Sequence, residues 1–149
     1  MESQAHAAGT VLVVDDNPRL LAFIADALQE LGDFRVVTAA NGARGLELFY
    51  DVQPDCMVID VKMPGLDGYQ LVRALRGDPT SAATALIILT AMTQEKDRLA
   101  GMLSGADQYL LKPVDPLDLV AAISRAVAMS ADERRHRIRT LAEESPGER

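Results

Sequence analysis

Cys56-Met57-Val58-Ile59-Asp60-Val61-Lys62-Met63-Pro64-Gly65 is the stretch that decides the fold. An apolar run ends on a carboxylate, and a Pro-Gly turn follows. A short continuous apolar run bounded by turn residues reads as a strand buried on both faces, which belongs in a parallel sheet covered by helices. Its last residue then sits where the sheet meets solvent, the edge at which open α/β sheets place their ligands. Asp60 is thus an acid delivered to a binding edge.

Working outward, the same pattern recurs. Upstream, Thr10-Val11-Leu12-Val13-Val14 is an apolar strand that also ends on acid, Asp15-Asp16. Asn17-Pro18 supplies an N-cap and a first-turn proline, and Leu20, Leu21, Ile24, Leu28 and Leu31 then repeat at helical spacing until Gly32-Asp33. Arg35-Val36-Val37-Thr38-Ala39 is a strand. Asn41-Gly42 opens a helix with Ala43, Leu46, Leu48 and Phe49 expected on or near its inner face. Downstream, Asp67-Gly68 leads into a helix over Tyr69–Leu75, which Arg76-Gly77-Asp78-Pro79 is expected to break. Ala85-Leu86-Ile87-Ile88-Leu89 is a strand ending on Thr90-Ala91, and 94–104 reads as a helix closed by Gly105. Gln108-Tyr109-Leu110-Leu111 is a short strand ending at Lys112-Pro113. Asp115-Pro116 caps a last helix through Leu117, Val120, Ile123 and Val127.

Five repeats of strand then helix, with uniformly apolar strands, predict an α/β fold: a parallel sheet with helices on both faces. Right-handed crossovers leave the flavodoxin-like, doubly wound order 2-1-3-4-5 as the leading topology. Strands 1 and 3 are then neighbours at the switch point, and Asp15, Asp16 and Asp60 converge in one crevice. Carboxylates that close repel one another, so one would have a raised pKa unless a cation joined them. A hard divalent cation such as Mg²⁺ (or Mn²⁺) accepts such oxygen ligands. Thr90 and Lys112 reach the same edge. A hydroxyl and an ammonium beside a metal and a carboxylate suit a phosphoryl group, with the carboxylate as acceptor. Singly, each residue reads as a cap or turn; the set of strand ends carries the argument.

Composition closes off other classes. The chain has 149 residues, 48% of them hydrophobic and 25% charged, with a net charge of -7. That length is one domain, and the acidic balance disfavours a nucleic-acid surface, so no direct DNA binding is expected. Cys56 is the sole cysteine and reads as a buried, inert thiol. The first nine residues lack the features of a secretory signal, and no apolar run reaches the ~20 residues a membrane helix needs, so the cytoplasm is expected.

The quoted residues closely resemble a known family. Val11-Leu12-Val13-Val14-Asp15-Asp16-Asn17, Asp60-Val61-Lys62-Met63-Pro64-Gly65-Leu66-Asp67-Gly68, Leu89-Thr90-Ala91 and Gly105-Ala106-Asp107-Gln108-Tyr109-Leu110-Leu111-Lys112-Pro113 look like the receiver domain of two-component response regulators. The resemblance is to stand-alone receivers of the chemotaxis-regulator kind. It implies that Asp60 accepts a phosphoryl group from a sensor histidine kinase or a phosphotransfer protein, with no separate turnover substrate. It implies direct Mg²⁺ binding by Asp16, partly water-mediated binding by Asp15, and a further ligand from the Lys62 backbone carbonyl. Lys112 would pair with the phosphoryl oxygens, with a cis bond before Pro113. Thr90 would swing in, and Tyr109 would rotate inward with it; Ala91 and Pro113 are supporting positions. Lys62 and Met92 occupy positions that tune phosphate lifetime, and neither could orient an attacking water, so a phosphorylated state that is not unusually short-lived is expected. The face made by the helix at 94–104, the strand at 108–111 and the last helix would switch to bind a downstream protein or a second copy.

The resemblance covers about Thr10 to Met129. Residues 1–9 read as a flexible tail and 130–149 as a charged extension, helical in part. The last helix could run on through Val127, Ala131, Ile138 and Leu141 as a stripe interrupted by Arg134, pairing two subunits. Ser130 with Glu133 could instead box a separate helix, or the extension could be a solvated, frayed appendage. His6 and His136 lack metal-ligand company. The alternatives are the front piece of a longer multidomain regulator and a phosphorylation-independent interaction or dimerisation module. A flavin protein of the same fold would need a hydroxyl- and Gly-rich loop where Asp15-Asp16 stands. An Asp-x-Asp phosphatase would need an acid where Lys62 stands.

Overall fold

A computed structural model of the chain describes residues 8–91, 105–129, 132–134, 136, 139 and 140. Five strands, β1 (Thr10–Val14), β2 (Arg35–Ala39), β3 (Cys56–Asp60), β4 (Ala85–Thr90) and β5 (Gln108–Leu111), form one sheet. All pairings are parallel and the order is β2-β1-β3-β4-β5, as the strand pattern predicts. The described helices are α1 (Pro18–Gly32), α2 (Gly42–Val52), α3 (Gly68–Gly77) and α4 (Pro116–Ala128). The helix expected over 94–104, like Met92 and His6, lies outside the described residues.

Side chains alternate across a strand, so each central strand feeds two cores. Val11, Val13, Val58, Ile87 and Leu89 pack with α1 and α4 through Ile24, Leu28, Leu119 and Ile123. Leu12, Val14, Met57, Ile59, Leu86 and Ile88 pack with α2 and α3 through Phe49, Leu71 and Leu75. This is why the strands read as unbroken apolar runs. Cys56 is fully buried, and burial pushes its thiol pKa up, away from reactivity. Among the described residues no helix is long and apolar enough to cross a membrane.

The expected helix faces hold at Leu21, Ile24, Leu28, Phe49 and Ile123 and differ at a few positions. Leu31 is 51% exposed, because Phe34, 2% exposed, folds back against Gly32 and fills the end of the α1 stripe. Ala43 is exposed, whereas Gly45 packs on Val14. On α4 the buried stripe is Leu119, Ala122, Ile123 and Ala126, while Leu117 and Val127 face outward. The small residues Gly45, Ala122 and Ala126 complete inner faces that also hold Phe49, Leu119 and Ile123, so a search for large apolar side chains alone misses part of each stripe. The helix α3 ends within Arg76-Gly77-Asp78-Pro79 as expected: Arg76 and Gly77 form its last turn and Asp78 is the extended C-cap. At the front, Gly9 already belongs to the fold, its carbonyl accepting from Arg35 N–H at 2.9 Å. At the back, α4 ends at Ala128 and Met129 is extended at φ -71, ψ 133, so α4 does not run on as one helix. Residues 132–134 are helical again.

One glycine sets how α3 leaves the sheet. A Cβ on Gly68 would lie 2.4 Å from the Asp60 carbonyl oxygen and 2.8 Å from Val61 Cα, both backbone atoms. Nothing flexible can give way there. Gly68→Ala is therefore expected to destabilise the protein by about 1–3 kcal/mol, the range for overpacking. Urea unfolding checks this, and wild-type stability would refute the contact.

Candidate functional site

The carboxyl ends of the central strands lie level, because the register pairs Val14 with Ile59 and Asp60 with Leu89. Asp15 follows β1, its N–H donating to the Ala39 carbonyl at 3.1 Å and its Oδ1 accepting from Asn17 N–H at 2.9 Å. Asn17 in turn caps α1, accepting from the N–H groups of Arg19 and Leu20. The same loop that starts the helix therefore orients the acid. Asp15 is 1% exposed and Asp60 5% exposed, while Asp16 is open to solvent. One carboxylate oxygen from each lies within 4.8 Å of the others. The acids that the sequence places in one crevice do meet.

Lys112 arrives from β5, its N–H donating to the Thr90 carbonyl at 2.7 Å and its peptide bond to Pro113 being cis. Its ammonium lies 2.5 Å from Asp60 Oδ1 and 3.4 Å from Asp15 Oδ2. Thr90, 1% exposed, closes the far wall. The crevice, about 210 Å³, is lined by Asp15, Asp16, Asn17, Asp60, Lys62, Thr90, Ala91 and Lys112. Tyr109 is half-buried, packs into the α2–α3 core, and has its hydroxyl buried without a hydrogen-bond partner among the described residues.

The electrostatics oppose one another. Burial raises the Asp60 pKa; the Lys112 hydrogen bond pulls it back, and the charges of Asp15 and Asp16 push it up again. Burial would lower the Lys112 ammonium, but Asp60 and Asp15 outweigh it and hold its pKa above the ordinary value. One ammonium thus leaves the acids under-neutralised. Hard oxygen donors this close are the chemistry of a site for a small divalent cation.

A second charged cluster lies at the opposite edge of the sheet, and the sequence reading missed it. Asp107, fully buried in its side chain, lies 3.1 Å from Arg76 and 2.8 Å from Arg134. Arg76 also donates to the carbonyls of Gly105, Ala82 and Thr84. Arg134 donates to those of Ala83 and Ala126 and is 3% exposed. Arg134 therefore runs against the solvated, frayed appendage among the alternatives for this extension, since its guanidinium is part of the core. The usable signal was Asp107 itself, an acid directly before an apolar strand, with an entry-edge role to match Asp60 at the exit.

Comparison with known proteins identifies the family and the fold. A sequence profile described as the response regulator receiver domain matches residues 11–124. PilH of Pseudomonas aeruginosa is 37% identical over 118 residues, covering 79% of this chain and 97% of PilH. A Guillardia theta protein named "Probable transcriptional regulator ycf27" is 40% identical over 117 residues, which cover 78% of this chain and 44% of that protein. The chain thus spans about half the length of several curated relatives, RpaA of Synechocystis at 50% among them. Among solved structures, a response regulator from Chloroflexus aurantiacus superposes with a TM-score of 0.77 at 33% identity, covering 81% of this chain and 98% of that one. The chemotaxis protein CheY4 of Vibrio cholerae gives 0.73 at 31% identity, covering 78% and 97%.

Proposed function

Because the chain belongs to the response regulator receiver domain family, we propose that Asp60 is its phosphoryl acceptor and that the crevice is built around that transfer. The observation that carries this reading is the meeting of Asp15, Asp16 and Asp60 under the Lys112 ammonium. An ionised Asp60 oxygen attacks phosphorus; the new Oδ–P bond forms as the P–N bond of a phosphohistidine breaks, and that electron pair stays on the imidazole. Raised basicity makes the Asp60 carboxylate the better nucleophile once ionised. Lys112 holds charge on the transferred oxygens, and the Thr90 hydroxyl donates to one of them. Asp15, Asp16 and Asp60, with the Lys62 carbonyl, would hold Mg²⁺, or Mn²⁺ in its place. The cation supplies neutralisation of charge on the transferring group.

Phosphorylation adds about -1.5 to -2 charges and three strong acceptors. Thr90 and Lys112 gain partners that exist only in that state, so they bias β4, β5 and α4 toward a second arrangement. The partners in this reading are a cytoplasmic histidine kinase or phosphotransfer protein and a downstream target that reads β5 and α4. A donor has a place to dock. An apolar cleft of about 420 Å³, lined by Leu20, Phe23, Ala91, Lys112, Pro113 and Val114, opens beside Asp60's crevice, and Phe23 is 52% exposed on its rim.

The test is intact-mass analysis after incubation with acetyl phosphate. One phosphoryl group is expected with Mg²⁺ and none with chelator; equal mass in both sinks the reading. A second expectation follows from Lys112. Lys112→Ala removes the cation that competes for Asp15 and Asp60, so calorimetry should show tighter Mg²⁺ binding. The same change deletes a charged partner of the phosphoryl group, worth about 1.5–3 kcal/mol. Beryllofluoride affinity should therefore fall by roughly tenfold or more. Opposite signs for the two ligands are the expected result.

A further inference from the structure

The Arg134 guanidinium comes from beyond the family match, which ends at residue 124, and from beyond α4, which ends at Ala128. It is nevertheless buried, with three acceptors from three parts of the chain: Asp107 Oδ1 before β5, the Ala83 carbonyl before β4, and the Ala126 carbonyl on α4. Those acceptors form a receptor shaped for a planar fork of donors, a task that arginine performs and lysine performs only in part. Asp107 is also the pin between the two switch strands. Its N–H donates to the Leu86 carbonyl at 2.7 Å, and its Oδ2 accepts from Leu86 N–H at 2.8 Å. At the other end of the same ribbon, Lys112 N–H holds the Thr90 carbonyl. From Leu86 to Thr90 is about 13 Å of strand. So β4 and β5 are fastened at their entries by Asp107, which Arg134 grips, and at their exits by the pair that faces Asp60.

We propose that Arg134 is a positioning residue for phosphoryl capture: the segment after α4 is an intramolecular partner whose docking on Asp107 registers β5 against β4 and so presets Lys112 and Thr90. The inference rests on Asp60 being the acceptor. Docking and phosphoryl binding are then linked, and linkage is reciprocal. In the docked arrangement the β4–β5 pairing sets Lys112 N–H on the Thr90 carbonyl and brings the Lys112 ammonium to Asp60. Docking thus holds both phosphoryl-binding groups beside the acceptor and favours capture.

The test titrates the 149-residue chain with beryllofluoride in Mg²⁺, reading half-saturation by NMR, and measures amide exchange in the same samples. Arg134→Ala should raise the half-saturating concentration about fivefold and speed exchange at 108–112, with Arg134→Lys between it and wild type. In wild type, beryllofluoride should slow exchange at 132–134. A purely structural Arg134 would lower Tm and leave half-saturation where it was. Should Arg134→Ala fail to fold, Arg134→Lys and the wild-type exchange response decide. Unchanged half-saturation in a folded variant, or no response at 132–134, overturns the proposal. A wild type that ignores beryllofluoride overturns the Asp60 reading instead; the docking claim is then judged by exchange at 108–112 in ligand-free Arg134→Lys, which must rise for it to survive.

Discussion

Asp60→Asn is expected to take up no phosphoryl group from acetyl phosphate under conditions that label the wild type fully, and at neutral pH without metal it is expected to melt a few degrees higher. Both effects come from one side chain. An amide cannot attack phosphorus as a carboxylate does, and Asp15 and Asp16 stand beside it as charge, not as replacements. The stability effect follows from the raised pKa of Asp60, caused by burial against the opposition of Lys112 and reinforced by the neighbouring acids. A carboxyl whose folded pKa lies above its unfolded value favours the folded state below the unfolded pKa. That contribution is lost as pH rises through the folded value. Relative to acid, neutral pH therefore sees Asp60 weigh against folding, and replacing it removes that cost. The gain in Tm should shrink in acid, where wild-type Asp60 is protonated, and in Mg²⁺, which neutralises the crevice. Scanning calorimetry at neutral and acid pH, with chelator and with Mg²⁺, checks all four corners. A variant that melts lower than wild type at neutral pH in chelator would show that the Lys112 pair outweighs burial.

Asp107→Ala is expected to act in the opposite sense, lowering the unfolding free energy by about 3–5 kcal/mol, the cost of stranding a buried charge by removing its partner. Arg76 and Arg134 both lean on this carboxylate, and their side chains are 8% and 4% exposed. Against a typical total of roughly 5–15 kcal/mol, that is a large share of what holds the protein folded. Asp107→Asn keeps the shape and one acceptor and should lose less. Urea unfolding of both variants measures it; a loss under about 1 kcal/mol for Asp107→Ala would mean the guanidiniums find water or other acceptors when Asp107 is gone. The contrast with Asp60 is physical. Both are buried aspartates at the ends of strands, but among the described residues the Lys112 ammonium serves both Asp60 and Asp15, whereas Asp107 meets two guanidiniums and a backbone N–H. The proposed acceptor is the under-neutralised acid of the two.

The sequence made the first of these sites legible and hid the second. Strands β1, β3 and β4 announce themselves because both faces are buried, so apolar runs end where the sheet ends. Whatever polar residue comes next is then at the edge, and that logic alone brings Asp15, Asp16, Asp60, Thr90 and Lys112 together. Helix faces were harder, since Gly45, Ala122 and Ala126 carry close packing without the apolar bulk that a periodicity search weighs. Arg76 and Arg134 were harder still. A buried arginine differs from a solvated one only in its partners, and those partners are carbonyls of residues 82–84, 105 and 126 that no spacing rule connects. The extension after Met129 therefore looked like a surface appendage when one of its side chains is as buried as the core.

The most direct measurement is to locate the phosphoryl group. Wild-type protein labelled with acetyl phosphate in Mg²⁺, digested at low temperature and sequenced by tandem mass spectrometry, should carry the modification on Asp60 and nowhere else, with Asp15 and Asp16 unmodified. A label on any other residue, or an Asp60 peptide that stays unmodified while the intact protein gains mass, would contradict the account.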